Sequence, residues 1–203
     1  MTAQGGDPAT LAFYAARAPG LTASSGQSPR RQLDGFLDRL EPGARVLELG
    51  CGTGRDAARI RERGFVVDAT DAVPAMVRKA NERFDLGAHV MRFDQLAARE
   101  AYDAVWAHAS LLHVARADLP GVLAAIRTAL KPGGWHYASY KLGTGEGRCL
   151  LGRLHNFPDA DWIARIYREA GFAIADSEIF PGQGADGTVR DWIALTVRVE
   201  DPA

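Results

Sequence analysis

Cysteine is scarce in this sequence, whose 203 residues include only Cys51 and Cys149. Two cysteines do not supply the disulfide framework of a small secreted protein, and they favour the reducing cytoplasm as the location. Long apolar runs are also missing, and none approaches the roughly 18 residues that a membrane-spanning helix needs. Residues 1–20 lack a basic start followed by an apolar run, so we expect neither a secretory signal nor a membrane span.

An excess of charge of either sign is absent too. The chain has 24 basic and 25 acidic residues, a formal net charge of −1, and its lysines are limited to Lys79, Lys131 and Lys141. The basic residues are spread along the sequence, so a large nucleic-acid-binding surface is not expected. No added recognition domain is visible, so we expect a small molecule as the partner, rather than a nucleic acid or a membrane. No metal site is predicted.

The chain does contain enough apolar material for one globular core. Hydrophobic residues make up 47% of the sequence and charged residues 24%, a balance that excludes intrinsic disorder. At roughly 150 residues per domain, the length predicts a single domain over residues 1–203.

Apolar strand-like runs alternate with amphipathic helical runs. Strands are predicted at 44–49, 65–70, 89–93, 102–107, 135–140, 172–180 and 188–199. Helices are predicted at 7–18, from Ser28-Pro29 to about 41, and at 55–63, 74–84, 118–130 and 162–170. This order indicates an α/β fold with a doubly wound, mixed seven-stranded sheet, helices on both faces and an antiparallel last strand. In such sheets, ligands bind beyond the carboxyl ends of the strands.

Residues 46–54, V-L-E-L-G-C-G-T-G, form an apolar strand that ends in a glycine-rich turn. Glycines let the backbone turn tightly and approach a ligand closely, and the helix that follows points its free N–H groups at that ligand. A dinucleotide fingerprint, G-x-G-x-x-G, is not matched because position 55 is Arg and the third glycine comes one residue too early. Glu48, two residues before the turn, strengthens the evidence for a ligand-binding role beyond what the glycines alone provide.

The pattern E-x-G-x-G-x-G resembles the class I S-adenosylmethionine-dependent methyltransferases, in particular the small bacterial members of the type-11 and type-25 groups. The resemblance extends from the first predicted helix to about Lys141, with a further match in the last two strands. It implies a Rossmann-like domain that binds S-adenosyl-L-methionine and releases S-adenosyl-L-homocysteine. The turn would lie against the methionine and ribose parts of the cofactor, and Glu48 near the methionine ammonium. The cofactor contacts that the resemblance implies in this segment are Glu48, Gly50, Cys51, Gly52, Thr53 and Gly54.

The segments after the second and third strands resemble the same family. Asp71 would accept hydrogen bonds from both ribose hydroxyls, with a helix N-cap as the alternative role. Met76 would lie against adenine or pack in the core. The carboxylate of Asp94 would accept a hydrogen bond from the adenine amine, or else cap a turn. The cofactor contacts implied here are Asp71, Ala72, Met76, Phe93, Asp94 and Gln95.

The fourth strand and the loop after it complete the resemblance. Residues 102–113, Y-D-A-V-W-A-H-A-S-L-L-H, resemble the family's Y/F-D-x-V strand and its loop ending in L-H. That loop would pass under the sulfonium and bring Ala107 and His108 to the cofactor. The K-P-G-G turn at 131–134 resembles the one before the family's fifth strand. Tyr14, in the first helix, would cover the cofactor or pack in the core.

The implied reaction is an in-line displacement at a methyl carbon, for which the protein aligns acceptor, carbon and sulfur in a dry pocket. A general base is needed only if the acceptor arrives protonated. His108 and His113 are the candidate bases; alternatively, His113 bonds the backbone and His108 lines the cofactor site. Tyr140 and Lys141, at a strand end on the ligand side, are further candidates to lie near the acceptor. Cys51 is expected to be a packing residue, and no N/D-P-P-Y segment of the base-methylating enzymes is present.

Two segments are expected to cover the site. Residues 1–41 would supply N-terminal helices over the cofactor. Residues 141–158 form a long loop without clear periodicity, of a kind that is usually functional. We expect this loop to close over the acceptor as a lid, with a mobile surface loop as the alternative. Its candidate polar contacts are Arg148, Arg153, His155 and Asn156.

The sequence therefore predicts an S-adenosylmethionine-dependent methyltransferase that acts on a small-molecule acceptor, as a monomer or a homodimer. A non-catalytic protein that binds the same cofactor as a sensor or scaffold would carry the same glycine turn. An NAD-dependent oxidoreductase is the third alternative, and Arg55 and the loop ending in Leu112-His113 count against it.

Overall fold

The computed structural model describes residues 6–21, 30–184 and 186–200. The Ser28-Pro29 start of the second predicted helix lies outside these ranges. The helices are α1 (Pro8–Arg17), α2 (Arg30–Leu37), α3 (Arg55–Glu62), α4 (Pro74–Phe84), α5 (Leu119–Ala129) and α6 (Ala160–Glu169). The strands are β1 (Arg45–Leu49), β2 (Val66–Asp71), β3 (His89–Val90), β4 (Tyr102–Ala107), β5 (Leu130–Lys141), β6 (Gly145–Arg148), β7 (Leu154–Phe157), β8 (Phe172–Gln183) and β9 (Val189–Val199). No helix in the described ranges combines the length and the apolar character needed to cross a membrane.

Seven strands form one mixed sheet in the order β3-β2-β1-β4-β5-β9-β8. Strands β1 to β5 run parallel, whereas β9 pairs antiparallel with both β5 and β8. This confirms the predicted doubly wound sheet with an antiparallel last strand. Because the strand order reverses between β1 and β4, the carboxyl ends of these strands border the crevice where α/β proteins bind ligands.

Helices cover both faces of the sheet, which is why the central strands are apolar on both sides. In β4, Val105 and Ala107 belong to the core cluster that contains α5 and α6, whereas Ala104 and Trp106 belong to the cluster that contains α2 and α3. Trp106 stacks on Tyr137 of β5 with the ring centroids 3.9 Å apart. These two cores fix the ends of β1, β4 and β5 relative to one another.

A chain of hydrogen bonds crosses the larger core. His136 Nδ1 lies 3.0 Å from the carbonyl oxygen of Val105, which can only accept, so Nδ1 carries the proton. The other ring nitrogen therefore accepts from the hydroxyl of Tyr167 at 3.1 Å, and Tyr167 accepts from Tyr140 at 2.9 Å. Burial lowers the pKa of His136 to about 4. Each polar side-chain atom of these three linked residues, His136, Tyr167 and Tyr140, has a hydrogen-bond partner within the core.

The two edge strands of the sheet, β3 in its parallel half and β8 in its antiparallel half, depart from their predicted bounds. β3 ends at Val90, and the chain continues into a single 3₁₀ turn at Phe93–Gln95. β8 continues through Pro181 to Gln183, three residues beyond its predicted end at 180. Both are edge strands of the sheet, and an edge strand tolerates a short length and a proline because one side needs no partner.

The segment 141–158 contains a β-hairpin, so the prediction of a loop without regular structure is wrong for this part. β6 and β7 pair from Gly145↔Phe157 to Arg148↔Leu154. Glycines alternate in β6, so the side-chain period that would indicate a strand is missing. The hairpin is attached to α1 because Arg148 forms a 2.7 Å ion pair with Asp7, and the Leu154 N–H donates to Thr10 Oγ1 at 2.9 Å.

Candidate active site

The glycine-rich turn joins β1 to α3 and is held against β2. The N–H groups of Gly50 and Cys51 donate to the carbonyl of Thr70 at 2.9 and 2.8 Å, and Thr70 Oγ1 donates to the carbonyl of Glu48 at 2.8 Å. Gly50 has a φ of +82°, and a Cβ atom there would stand 2.6 Å from the Cβ of Ser110. Position 50 therefore needs glycine both for its backbone conformation and for the close approach of the loop after β4.

Gly52 differs from Gly50 in its surroundings. Its φ is +54°, and a Cβ atom there would meet no atom within 4 Å. The open space in front of Gly52 belongs to a cavity, so a ligand there can approach the backbone directly. The neighbouring Cys51 is buried, and burial raises the pKa of its thiol, which fits the predicted packing role.

Glu48 is the next-to-last residue of β1, and only 4% of its surface is exposed. Its Oε2 atom has no hydrogen-bond partner in the described part of the chain. Burial, reinforced by the charges of Asp56 and Asp71, holds the pKa of Glu48 well above its usual range, against a backbone hydrogen bond from Ala57. A buried carboxyl with a spare acceptor, among other acids, is matched to a ligand that carries a positive charge.

Asp71 ends β2 and connects two backbone segments. Its Oδ2 accepts from the Gly52 N–H at 2.9 Å, and its Oδ1 accepts from the Val73 N–H at 2.8 Å, at the residue before α4. Burial raises the pKa of Asp71, and the two backbone hydrogen bonds oppose that shift. Each oxygen can accept a further hydrogen bond, so the helix-start contact and a ligand contact are compatible.

The turn, Glu48 and Asp71 line a cavity of about 790 Å³ at the carboxyl ends of the strands. That volume lies in the range of small-molecule sites. The predicted cofactor contacts and candidate bases that line it are Tyr14, Glu48, Gly50, Cys51, Gly52, Thr53, Asp71, Ala72, Met76, Phe93, His108 and His113.

Four predicted contacts lie outside the cavity lining, each for a local reason. Gly54 caps α3, where a Cβ atom would stand 2.9 Å from the Cβ of Ala80. Ala107 is fully buried in the core. The remaining two residues, Asp94 and Gln95, lie in the 3₁₀ turn and both contact Arg92. Asp94 is exposed and forms an ion pair with Arg92 at 3.0 Å, and Gln95 accepts from the Arg92 N–H. The adenine-edge role of Asp94 and Gln95 stays a prediction.

His113 is held by hydrogen bonds at both ring nitrogens. Its Nδ1 donates to the carbonyl of Leu154 at 2.7 Å, so its Nε2, 2.9 Å from the Tyr14 hydroxyl, accepts the Tyr14 proton. Arg153 Nη1 in turn donates to the Tyr14 oxygen at 2.8 Å. Burial lowers the pKa of His113 to about 3, so the ring is neutral at physiological pH. A proton from an acceptor would reach His113 only through Tyr14.

His108 lines the cavity beside the loop that follows β4. Its Nδ1 lies 3.2 Å from Ser139 Oγ, which also accepts from the Ala109 N–H at 2.9 Å. The ring stacks on Trp106 and Tyr137 at centroid distances of 6.0 and 6.2 Å. Burial lowers the pKa of His108, so it too is neutral near pH 7. Since Nδ1 is engaged, a base role would fall to Nε2.

The hairpin supplies part of the cavity wall. Of its four candidate polar contacts, Arg153 and His155 line the cavity. Arg148 is instead paired with Asp7, and Asn156 is fully buried but does not line the cavity. Lys141, at the end of β5, also lines the cavity, whereas Tyr140 belongs to the hydrogen-bonded chain in the core.

The sequence reasoning missed the wall that β8 and β9 contribute. Trp192 and residues 180–184 line the cavity, and Trp192 pairs in register with Lys141 across β5 and β9. Lys141 Nζ lies 5.4 Å from the centroid of the Trp192 ring. The sequence does show an aromatic residue, Trp192, near the start of the last alternating strand. Only the register of β5 and β9, however, reveals that Trp192 lies beside Lys141.

Comparison with known proteins finds methyltransferases among the matches to the central part of the chain. Residues 46–134 match a family model described as "Methyltransferase domain". The ubiquinone biosynthesis O-methyltransferase of Xanthomonas axonopodis pv. citri is 36% identical over 63% of this chain and 54% of its own length. The trans-aconitate 2-methyltransferase of Deinococcus radiodurans is 29% identical over 78% of this chain and 64% of its own length. The chain spans about half the length of the first curated relatives that it matches.

A solved structure agrees over nearly the whole chain. The 1,6-didemethyltoxoflavin-N1-methyltransferase of Burkholderia thailandensis, which was solved with 1,6-didemethyltoxoflavin and S-adenosylhomocysteine bound, superposes with a TM-score of 0.78. The alignment covers 95% of this chain and 88% of that chain at 22% sequence identity. At this identity, the likeness shows a shared fold.

Proposed function

The chain belongs to the class I S-adenosylmethionine-dependent methyltransferases of the type-25 group, and on that basis we propose that it methylates a small-molecule acceptor in its cavity. The observation that carries the proposal is that one cavity joins the glycine turn and Glu48, whose Oε2 atom has no hydrogen-bond partner among the described residues, to walls built by β5, the hairpin and β9. One end fits the cofactor, and the remainder is available to the acceptor.

The residues of the glycine turn fit the cofactor that the family uses. When bound, S-adenosylmethionine supplies a methyl group on a positively charged sulfur. Glu48 would hold its ammonium group with the unpartnered Oε2, and Asp71 would hold the ribose hydroxyls with its spare lone pairs. The space in front of Gly52 admits a ligand to the backbone. All three features are found at the carboxyl ends of β1 and β2, where the fold binds ligands.

The walls around the remaining space support a small acceptor. They come from α1, the loop after β4, the hairpin and the last two strands, so they surround the space on several sides. The relatives above are methyltransferases named for ubiquinone biosynthesis and for trans-aconitate, and the superposed structure holds 1,6-didemethyltoxoflavin. These names support a small molecule, rather than a macromolecule, as the acceptor class.

The chain's own residues would align the acceptor, exclude water and hold a proton where the acceptor loses one. His108 could take that proton at Nε2. Alternatively, the acceptor could donate to the oxygen of Tyr14 while the Tyr14 proton moves along its existing hydrogen bond to His113 Nε2. Both imidazoles have lowered pKa values because they are buried, so both are neutral and able to accept.

We further propose that residues 1–203 act as one domain in the cytoplasm. In it, the helices within 1–41 cover the cofactor, and the hairpin within 141–158 covers the acceptor. The contacts of α1 support this arrangement, because Tyr14 lines the cavity and α1 is bonded to the hairpin through Asp7 and Thr10. A lid that opens would have to release the Asp7–Arg148 ion pair.

Titration calorimetry with S-adenosylmethionine and S-adenosylhomocysteine tests the cofactor half of the proposal. We expect both to bind, and we expect Asp71→Asn to weaken binding roughly tenfold because one charged hydrogen-bond acceptor is lost. Asp176→Asn is the matched control, since Asp176 is an exposed acid on β8 whose ion pair with Arg39 spans 3.5 Å. The control should bind as the unmodified chain does. Absence of heat with either compound would refute the proposal.

An acceptor panel, read out by release of S-adenosylhomocysteine, tests the transfer half. The panel should contain hydroxyl, amine, thiol and carboxylic acid acceptors of a size suited to the cavity. We expect turnover with at least one class. Cofactor binding without any release across the panel would instead favour the sensor or scaffold function.

A further inference from the structure

A group of buried donors forms one wall of the cavity. We call Lys141, Arg153, His155 and Trp192 the basic wall; they are 4%, 3%, 0% and 9% exposed, and all four line the cavity. Arg153 Nε and Nη2, Trp192 Nε1 and both ring nitrogens of His155 lack a hydrogen-bond partner in the described part of the chain. Unpaired buried polar groups are rare in native proteins and indicate a missing partner.

The two cations of the basic wall lack a close counter-charge. Among the described residues, no carboxylate lies within the 4.0 Å ion-pair distance of Lys141 or Arg153. Asp186 exerts the largest attractive effect on Lys141, but from beyond that distance, and Arg190 adds a further positive charge nearby. Asp7 is already paired with Arg148 at 2.7 Å.

The other contacts of the two cations are with aromatic rings and, for Arg153, with the side chain of Cys149. Arg153 lies 4.7 Å from the Phe13 ring centroid and donates a hydrogen bond to Tyr14, and Lys141 lies over Trp192. Ring faces attract cations, but more weakly than an anion does in a buried site. His155 is neutral, since burial, together with the neighbouring His113, Lys141 and Arg153, lowers its pKa to about 2.

Position along the sheet separates this wall from the cofactor end. Lys141 ends β5 and Asp71 ends β2, three strands apart in the sheet order, which corresponds to roughly 14 Å at the usual strand spacing. An acceptor that contacts both the basic wall and the cofactor methyl group would lie along this direction. Its negative end and its methylated end would then be different parts of the molecule.

We propose that the methyl acceptor carries an oxyanion, a carboxylate or a phosphate, which Lys141 and Arg153 bind by charge-assisted hydrogen bonds. The inference rests on the proposed function, which it deepens by naming the acceptor class. A guanidinium and an ammonium are the side chains that proteins use for such groups. The bound oxyanion supplies the acceptors that Arg153 and Trp192 lack and offsets the two buried charges.

The first experiment measures anion binding without turnover. The full chain, saturated with S-adenosylhomocysteine, is melted in acetate, phosphate or chloride at equal ionic strength. We expect acetate or phosphate to raise the melting temperature above that in chloride, and the more effective anion identifies the carboxylate or the phosphate class. The increment should disappear in Lys141→Met and in Arg153→Gln; the melting curves themselves show whether each variant folds. Lys131→Met is the matched control, because Lys131 is a surface lysine paired with Asp103 at 2.7 Å.

An increment of equal size in the unmodified chain, Lys141→Met and Lys131→Met would overturn the proposal, since it would show only a general salt effect. Equal melting temperatures in all three salts would overturn it as well.

The second experiment compares paired acceptors that differ only in charge, each acid against its own neutral amide. Release of S-adenosylhomocysteine should give a kcat/KM that is roughly tenfold to hundredfold higher for the acid, and Lys141→Met should abolish this preference. Calorimetry on the same variant should give a cofactor affinity within about twofold of the unmodified chain, because the two sites are distant. Equal turnover of acid and amide would refute the oxyanion site and leave the methyltransferase function intact. Failure of the unmodified chain to bind the cofactor would refute the proposed methyltransferase function itself.

Discussion

The two ends of the cavity hold buried charge of opposite sign. At the carboxyl ends of β1 and β2, Glu48 is a buried acid and Asp71 a half-buried one, and Glu48 has a carboxylate oxygen without a partner in the described chain. At the end of β5 and just before the start of β7, Lys141 and Arg153 are buried cations with no carboxylate of the described residues within ion-pair distance. Each end is therefore suited to a ligand group of the opposite charge, and the two groups must differ.

This contrast shows how the site differs from the rest of the interior. Tyr140, Tyr167 and His136 are equally buried, yet their polar atoms are paired with one another and with the backbone. Unpaired buried charges reduce the stability of the protein without ligand, and natural proteins accept such costs where function requires them. Substitutions should therefore have opposite effects on stability in the core and in the cavity.

The largest expected effect is on the paired core. Tyr167→Phe removes the central hydroxyl and leaves His136 Nε2 without a donor and the Tyr140 hydroxyl without an acceptor. We expect a loss of about 2–3 kcal/mol in the free energy of unfolding, measured by urea denaturation. Tyr140→Phe is the matched control and should cost only about 1 kcal/mol, because Tyr167 still donates to His136. Equal losses of stability in the two variants would show that the Tyr167 hydroxyl does not link His136 to Tyr140.

Glu48→Gln should have the opposite effect on stability and a strong effect on binding. Removing the negative charge should weaken the affinity for S-adenosylmethionine by roughly tenfold to hundredfold. Without ligand, the variant should melt at a higher temperature than the unmodified chain, because a buried charge with an unpaired oxygen has been neutralised. Calorimetry and thermal melting measure the two effects on the same samples.

The stability difference produced by Glu48→Gln should depend on pH with a defined sign. Folding raises the pKa of Glu48 above 4.5, the value of an unperturbed glutamate, mainly through burial. The unmodified chain therefore has its full stability below that value and loses stability as pH rises through the raised pKa. The melting temperatures of the two proteins should be similar near pH 4.5 and should diverge toward pH 8. A constant difference across this range would contradict the assignment.

The sheet and the glycine turn were predictable because their signals are local. The two-residue period of β9 and the mainly apolar runs of β1 and β4 indicate strands directly, and glycines next to a strand end indicate a tight turn. Because parallel strands bring their carboxyl ends to one edge, Glu48 and Asp71 could be predicted to lie together without any structure.

The basic wall was harder to predict because its signals are not local. Lys141 meets Trp192 only through the antiparallel register of β5 and β9, and Tyr14 meets His113 across 99 residues of sequence. The glycines of β6 lack the side chains from which a strand period is recognised. Local patterns therefore indicate the elements, whereas the hydrogen bonds of His113 and the wall around Lys141 depend on tertiary packing.

The smallest expected effect concerns the rim of the cofactor end. Asp94 is exposed and paired with Arg92 at 3.0 Å, so a hydrogen bond from the adenine amine would form in contact with water and contribute little. We expect Asp94→Ala to weaken S-adenosylhomocysteine binding only about fivefold, measured by calorimetry. Arg92→Ala, which leaves the carboxylate in place, is the matched control and should bind at least as tightly as the unmodified chain. Unchanged affinity in Asp94→Ala would exclude the adenine contact and leave Glu48 and Asp71 as the acids that bind the cofactor.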